Sequence, residues 1–260
     1  MKKLTLLVIF FTFSCLNAFA HLAEIGGVFY RFLGTEAIVT YKSYECGNDD
    51  GGTDMEGPEE FDNEYSGKII IPQSVKYKGR TYRVTTIDDC AFYECSGVTS
   101  VTLPSTITYI GNGAFSGCAK LSNIIVGNAV NFVGWGILDG TKWYKRQPNG
   151  ILYLGNYCIG YKGTAPIGAI TIKTGTRVIA CQALSGSKIT SVKIPKSTVS
   201  VCVYAFNYCE DLKTVTINNP NVNIEECAFS GCTILKSFKI GTRSLSQSKI
   251  QKLIFSSCPG

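Results

Sequence analysis

The sequence predicts a repeat solenoid, and three observations carry that prediction. First, Ala91-Phe92 recurs as Ala114-Phe115 after 23 residues, as Ile137-Leu138 after 23 more and as Ala183-Leu184 after 46. Ala205-Phe206 then follows after 22 and Ala228-Phe229 after 23. Second, apolar residues fall in fixed columns around that pair, as in Ile110-x-x-x-Ala-Phe-x-x-Cys-x-x-Leu-x-x-Ile-x-Val126. Third, each unit closes on a short run of period-two alternation, so one set of its side chains faces inward. A single such unit is too small to bury its apolar face and gains a core only by stacking on its neighbours.

The chain opens with Lys2-Lys3, an apolar run from Leu4 to Phe13, and Ala18-Phe19-Ala20. That order is a charged region, an apolar stretch too short to span a bilayer, and an A-x-A cleavage site, so residues 1–20 are expected to be a secretory signal peptide. Cys15 follows Thr12-Phe13-Ser14, which makes a poor lipidation signal. No later segment has the length and apolarity of a membrane helix.

Residues 21–67 are expected to form a β-hairpin cap with an acidic loop. Val28–Phe32 and Ala37–Tyr41 read as two strands around Gly34. A hairpin there would cover the open apolar end of the first rung. The loop at 45–64 carries Asn48, Asp49, Asp50, Asp54 and Glu56, oxygens of the kind Ca²⁺ binds, but not at EF-hand spacing. It reads as a solvated loop, and no metal or cofactor is expected.

The solenoid itself is expected over 68–258. Ile69-Ile70-Ile71-Pro72 matches the endings Val101–Pro104 and Val192–Pro195, so it is a rung without its front half. The nine extra residues around Tyr77-Lys78-Gly79-Arg80-Thr81-Tyr82 read as a small inserted hairpin. Ile87, Ile110, Val133, Ile179, Val201 and Ile224 open the regular units. The 46-residue step is read as one unit that kept its length and lost its signature, with an irregular insertion at about 141–165. Ile151–Leu154 is expected there as a strand of the stack, which brings the count to eight. Ile250–Cys258 reads as the front half of a final unit.

Twelve cysteines are present, and Cys95, Cys118, Cys209 and Cys232 share one column in which Thr141 and Ser187 substitute. An exported chain permits disulfides, but column placement predicts small buried apolar residues and few intrachain bridges.

The period in the 20–29 range places the chain in the leucine-rich-repeat class: a right-handed stack of ~23-residue units with short parallel strands joined by turns or short helical segments. The units Ile87–Pro104 and Ile110–Leu121 go further and resemble the BspA-type leucine-rich repeat. The resemblance covers roughly Lys68 to Cys258, including the irregular stretch from Gly140-Thr-Lys-Trp-Tyr to Tyr161-Lys-Gly. It implies an exported or surface-displayed bacterial protein that adheres to host proteins or other cells. It brings no catalytic residues with it, and fold alone does not define function.

Composition narrows the chemistry. The only histidine, His21, stands at the expected mature terminus, so no oriented imidazole is available for a Ser-His-Asp or Cys-His system. Asp88-Asp89 and Glu225-Glu226 share a column but lie six rungs apart, ~29 Å at about 4.8 Å per rung. Glycosidase carboxylates need about 5–9.5 Å. The pairs read as exposed turn residues, and no enzymatic activity is expected; a carbohydrate-active enzyme is the weakest reading. From Tyr65 onward 21 Lys and Arg face 8 acids, a net of about +13. That field favours anionic partners in general.

Two binding candidates remain. The strand residues pointing away from the core are Ser100, Thr102, Asn123, Ile125, Ser191, Lys193, Thr214, Thr216, Ser237 and Lys239, on the face solenoids use for recognition. The second is the insertion with Trp143, Tyr144 and Arg146, because aromatics beside Arg make binding hot spots. The expected function is macromolecular binding at the bacterial surface or in the medium, with a host matrix protein, bacterial surface protein or glycan as partner. The alternative is a display or spacer module without its own ligand. Nucleic acid is not expected, since no aromatic stacking platform accompanies the basic residues.

Overall fold

The computed structural model describes residues 22–41 and 65–254; the expected signal peptide, His21 and the acidic loop lie outside them. The chain begins with an antiparallel meander, β1 (Leu22–Ile25), β2 (Val28–Leu33) and β3 (Glu36–Thr40). β4 (Ser66–Ile70) follows, then a hairpin of β5 (Ser74–Tyr77) and β6 (Arg80–Ile87). The rungs continue with β7 (Gly97–Thr102), β8 (Tyr109–Ile110), β9 (Asn123–Ile125) and β10 (Phe132–Val133). The irregular region holds α1 (Lys142–Arg146), β11 (Gly150–Leu154) and β12 (Tyr157–Lys162). Four regular rungs follow with β13 (Ile167–Thr171), β14 (Val178–Ile179), β15 (Lys188–Ile194), β16 (Ser200–Val201), β17 (Thr214–Ile217), β18 (Asn223–Ile224) and β19 (Ser237–Ile240). β20 (Arg243–Ser244) and α2 (Gln247–Ile254) close the described chain.

Each regular rung supplies one two-residue strand and one longer strand, and like strands stack in parallel. The short series runs β3-β6-β8-β10 and then β12-β14-β16-β18. The long series forms two separate parallel stacks, β4-β7-β9 and β13-β15-β17-β19. The molecule is thus a β-solenoid of about seven turns. The meander caps the first turn, because β3 pairs in parallel with β6 and places Ala37 beside Val84. β2 and β3 are the hairpin expected around Gly34, and β1 is a third strand that the sequence reading lacks. The hairpin around Lys78-Gly79 is also where the sequence puts it, with Tyr77 opposite Arg80.

One expectation is corrected. Ile151–Leu154 is not a strand of the stack: β11 pairs only with β12, antiparallel. It is β12 that touches the stack, through Tyr157 opposite Val178 and Cys158 opposite Ile179. The Cys181 N–H meanwhile bonds the Val133 carbonyl at 2.8 Å, across the whole 46-residue step. The disguised unit is therefore half a rung with a hairpin attached, and the long series has seven parallel strands rather than eight. The tail, up to Ile254, is helix α2, whose buried Ile250 and Ile254 lid the last rung. The front halves of the regular units are turns.

The core is the template columns. Phe92 and Phe115 stack at 5.1 Å between ring centres, and Phe206 and Phe229 at 5.0 Å. All four are fully buried, and such ring pairs add about 0.5–1.5 kcal/mol beyond their buried area. The cysteine column is buried too: Cys95, Cys118, Cys209 and Cys232 are all at most 3% exposed. Its thiols are not merely apolar filler. Cys118, Cys209 and Cys232 donate to the carbonyls of Phe92, Leu184 and Phe206 in the preceding rung, at 3.0, 3.2 and 3.1 Å. Thr141 and Ser187 in the same column are hydrogen-bonded as well, Thr141 donating to Leu138 O of its own unit and the Ser187 hydroxyl bonded to the Cys209 thiol of the next rung. Cys227 is disulfide-bonded, and the other eight described cysteines carry thiols rather than disulfides.

Two turn positions per rung require positive φ, which ordinary L-residues adopt at a cost of roughly 1–2 kcal/mol. One column holds Cys90, Gly113, Gly136, Gln182, Tyr204 and Cys227; the other holds Glu94, Gly117, Gly140, Gly186, Tyr208 and Gly231. Gly111 meets a different constraint. A Cβ there would lie 2.4 Å from the Asp89 backbone nitrogen and 2.6 Å from the Asp88 carbonyl carbon.

Two predictions follow from this packing. Gly111→Ala forces adjacent rungs apart and should destabilise the protein by about 2 kcal/mol or more, read from denaturant unfolding; a loss within error would mean the rungs slide freely. Burial also holds the Cys118 and Cys158 thiols up at about 12, whereas an unfolded cysteine ionises near ~8.5. The folded state keeps protons that the unfolded state releases, so this stability is full below that unfolded value and is lost as pH rises toward about 12. Unfolding free energy should fall between roughly pH 8 and 11, and Cys118→Ala should make that fall shallower.

Candidate binding face

Register brings the strand candidates into straight columns, because parallel neighbours pair residue for residue. In the first long-strand sheet Lys68, Ser100 and Asn123 are aligned, as are Ile70, Thr102 and Ile125. In the second, Ala169, Ser191, Thr214 and Ser237 form one column and Thr171, Lys193, Thr216 and Lys239 the other. Residues between them point inward, and Val101, Val192, Ile194, Val215, Ile217 and Phe238 are at most 1% exposed. All ten candidates are exposed or half-buried. The alternation read from sequence is therefore the alternation of the structure.

The ten do not form one continuous surface. β9 pairs only with β7, and β13 only with β15, so the columns end at Asn123–Ile125 and restart at Ile167–Thr171. The two halves also differ in chemistry. The first presents bare aliphatic side chains, with Ile70 61% and Ile125 53% exposed on either side of Thr102. The second is built mainly of hydroxyls and lysines, with apolar residues only on its first strand, at Ile167, 69% exposed, and Ala169. Periodicity alone does not separate the halves, because both obey the same template.

The insertion that divides them uses its aromatics mainly for its own anchoring. Trp143 is half-buried against the core, and its backbone N–H bonds Leu121 O at 2.7 Å. Tyr153 OH accepts from Lys173 N at 3.2 Å, and Tyr157 OH donates to Gly127 O. Thr141 caps the start of α1 by accepting from Tyr144 N at 3.0 Å. At the other end Lys162 Nζ donates to the carbonyls of Tyr144, Lys145 and Gln147 at 3.2, 2.8 and 2.7 Å, and lies over the Tyr144 ring. One ammonium thus gathers three carbonyls at the C-terminal end of the helix, where Gln147 Nε2 also donates to Trp143 O at 3.0 Å. Of Trp143, Tyr144 and Arg146, only Arg146 is exposed. Sequence reading missed Lys162, which carries no motif; its partners are backbone atoms and leave no residue pattern.

The carboxylates read as turn residues have structural partners. Asp88 pairs with Arg31 of the cap at 2.7 Å, a half-buried bridge between meander and first rung. Burial raises its carboxyl pKa, while Arg31 opposes that rise. Asp89 accepts from Asn112 N at 2.8 Å, and Asn112 in turn accepts from Trp135 N at 3.1 Å. Glu225 accepts from Asn223 at 2.6 Å. Among the described residues no three His, Cys, Asp or Glu cluster as metal ligands do, and no helix is long and apolar enough to cross a membrane.

With this geometry in hand, comparison with known proteins decides the family. The BspA type leucine rich repeat region matches residues 57–159 and 144–260, in six copies. The chain belongs to that family. No curated protein matches. Solved structures similar to this BspA-type chain include a leucine-rich repeat protein from Bacteroides ovatus, 24% identical, with a TM-score of 0.41 over 84% of this chain and 47% of that one. A leucine rich cell surface protein from Faecalibacterium prausnitzii is 20% identical, with a TM-score of 0.39 over 86% of this chain and 55% of that one. A leucine rich repeat protein from T. pallidum is 16% identical, with a TM-score of 0.38 and coverage of 92% and 94%. The chain spans about half the length of the first two.

The anchoring of α1 gives a direct test. Lys162→Met should remove the three carbonyl bonds and loosen the helix by about 1–2 kcal/mol. Hydrogen exchange at the Lys145 and Gln147 amides should accelerate by about tenfold, while the Val192 and Val215 amides stay protected.

Proposed function

We propose that this BspA-type protein acts at the bacterial surface or in the medium as a binding module, engaging a macromolecular partner through the outward columns of its long strands. The observation that carries this reading is the pair Ile70 and Ile125, large aliphatics left mostly exposed on a face whose inward neighbours are buried. Exposed apolar groups on a rigid sheet rimmed by polar side chains are a marker of interaction surfaces. Ser100, Thr102 and Asn123 around them are short and polar, so a partner meets a flat surface with hydrogen-bonding groups. The expected signal peptide supports export, and the cell-surface description of the F. prausnitzii neighbour is in keeping with it. A host matrix protein or a protein on neighbouring bacteria is the expected partner class.

The test is saturable binding of the purified protein to a panel of immobilised matrix proteins and whole bacterial cells, with Ile70→Glu/Ile125→Glu as the probe. Two charges placed in the apolar column should weaken binding by at least about tenfold while the unfolding transition stays in place. Unchanged affinity in the folded double variant removes this sheet from the binding face. Absence of saturable binding across the panel favours a display or spacer role.

A further inference from the structure

We propose that the second long-strand sheet is a site for a linear anionic polysaccharide, sulfated or carboxylated, held by Lys193, Lys213, Lys236 and Lys239. The proposal rests on reading the outward strand face as the recognition surface, and it names the ligand class for the half of that face that carries no exposed aliphatic column. The stacking places these lysines. Lys213 N bonds Thr190 O at 2.9 Å and Lys236 N bonds Lys213 O at 3.0 Å, so the last two stand at the same position on consecutive rungs. Lys193, Thr216 and Lys239 are paired across three consecutive strands. With strands about 4.8 Å apart and about 3.3 Å per residue along them, the four ammonium groups spring from a patch roughly 10 Å on a side.

All four side chains are exposed, and the four parallel strands of the sheet contain no Asp or Glu. Glu210 and Asp211 stand in the turn before Lys213, yet no ion pair among the described residues joins them to a lysine. Four lysines thus stand against two nearby acids that pair with none of them, and the net positive charge of the patch attracts polyanions. Ser191, Thr214, Thr216 and Ser237 fill the space between the lysines with short hydroxyls, suited to the hydroxyl and sulfate oxygens of a sugar chain. The same face lacks what other polyanions use. Its only aromatic, Phe238, is buried, so there is no platform on which bases could stack. Its one exposed large aliphatic, Ile167, is paired with Lys188 at the start of the first strand and stands outside the columns of the four lysines. A flat, hydroxylated and basic strip fits an extended charged sugar chain best.

The full chain is titrated with dextran sulfate and with neutral dextran of equal length, at low and at physiological salt, beside duplex DNA and poly-glutamate. Saturable binding to dextran sulfate, weakened by salt and absent for neutral dextran, is expected. Lys193→Gln, Lys213→Gln, Lys236→Gln and Lys239→Gln together should raise its Kd by at least about tenfold with an unchanged melting temperature. A control that removes the same charge elsewhere, at Lys76, Lys120, Lys142 and Lys249, should change it by no more than about twofold. Equal losses in both variants would mean that net charge alone binds the polymer and would overturn the site. Equal or tighter binding of DNA or poly-glutamate would overturn the polysaccharide assignment. Failure here leaves the protein-binding result at Ile70 and Ile125 untouched, so the two readings fall separately.

Discussion

A single backbone hydrogen bond, repeated at one column of every rung, holds the rest of this structure in register. Gly111 N bonds Ile87 O, Gly134 N bonds Ile110 O, Cys202 N bonds Ile179 O and Glu225 N bonds Val201 O, all between 2.8 and 2.9 Å. Because this bond stacks the rungs one strand spacing apart, every equivalent side chain meets its counterpart about 5 Å away. The phenylalanine stacks, the thiol-to-carbonyl bonds and the outward lysine columns all follow from that spacing. At Gly111 and Gly134 the neighbouring rung also approaches too closely for a Cβ, whereas Cys202 and Glu225 make the same bond and carry one.

The strict spacing also shapes what the surface can do. A stacked array repeats its outward positions automatically, so one residue choice per rung becomes a column. Where the outward residues are Ile, Thr and Ile the column is apolar; where they are Lys, Thr and Lys it is basic. The half-rung between Thr141 and Thr176 separates the two by ending one sheet at β9 and starting another at β13. Its hairpin and short helix are held by Lys162, Tyr153 and Tyr157, so the aromatics there serve the architecture first.

Much of the fold was legible because solenoid packing writes itself into sequence as columns. The inward Val and Ile positions, the Ala-Phe pair, the hairpin around Gly34 and the inserted hairpin near Gly79 were all legible in the sequence pattern, whereas β1 of the cap was not. The positive-φ columns were only half visible. Gly113, Gly117, Gly136, Gly140, Gly186 and Gly231 mark them, yet Glu94, Tyr204 and Tyr208 occupy the same positions under tertiary constraint. Asp88 looked like a solvated turn residue because its partner Arg31 lies 57 positions away in the cap. Ile151–Leu154 looked like a rung because a buried strand and one arm of a packed hairpin have the same local pattern.

The sequence by itself determined the period, the inward and outward faces of each strand, and membership of the solenoid class. Local alternation and fixed offsets suffice for these, since each rung repeats the same burial problem. The tertiary structure alone decided which strands share a sheet, where the face is broken, and which lysines stand together. Those outcomes depend on hydrogen bonds between backbone atoms far apart in the chain, such as Cys181 to Val133, and backbone atoms carry no residue code.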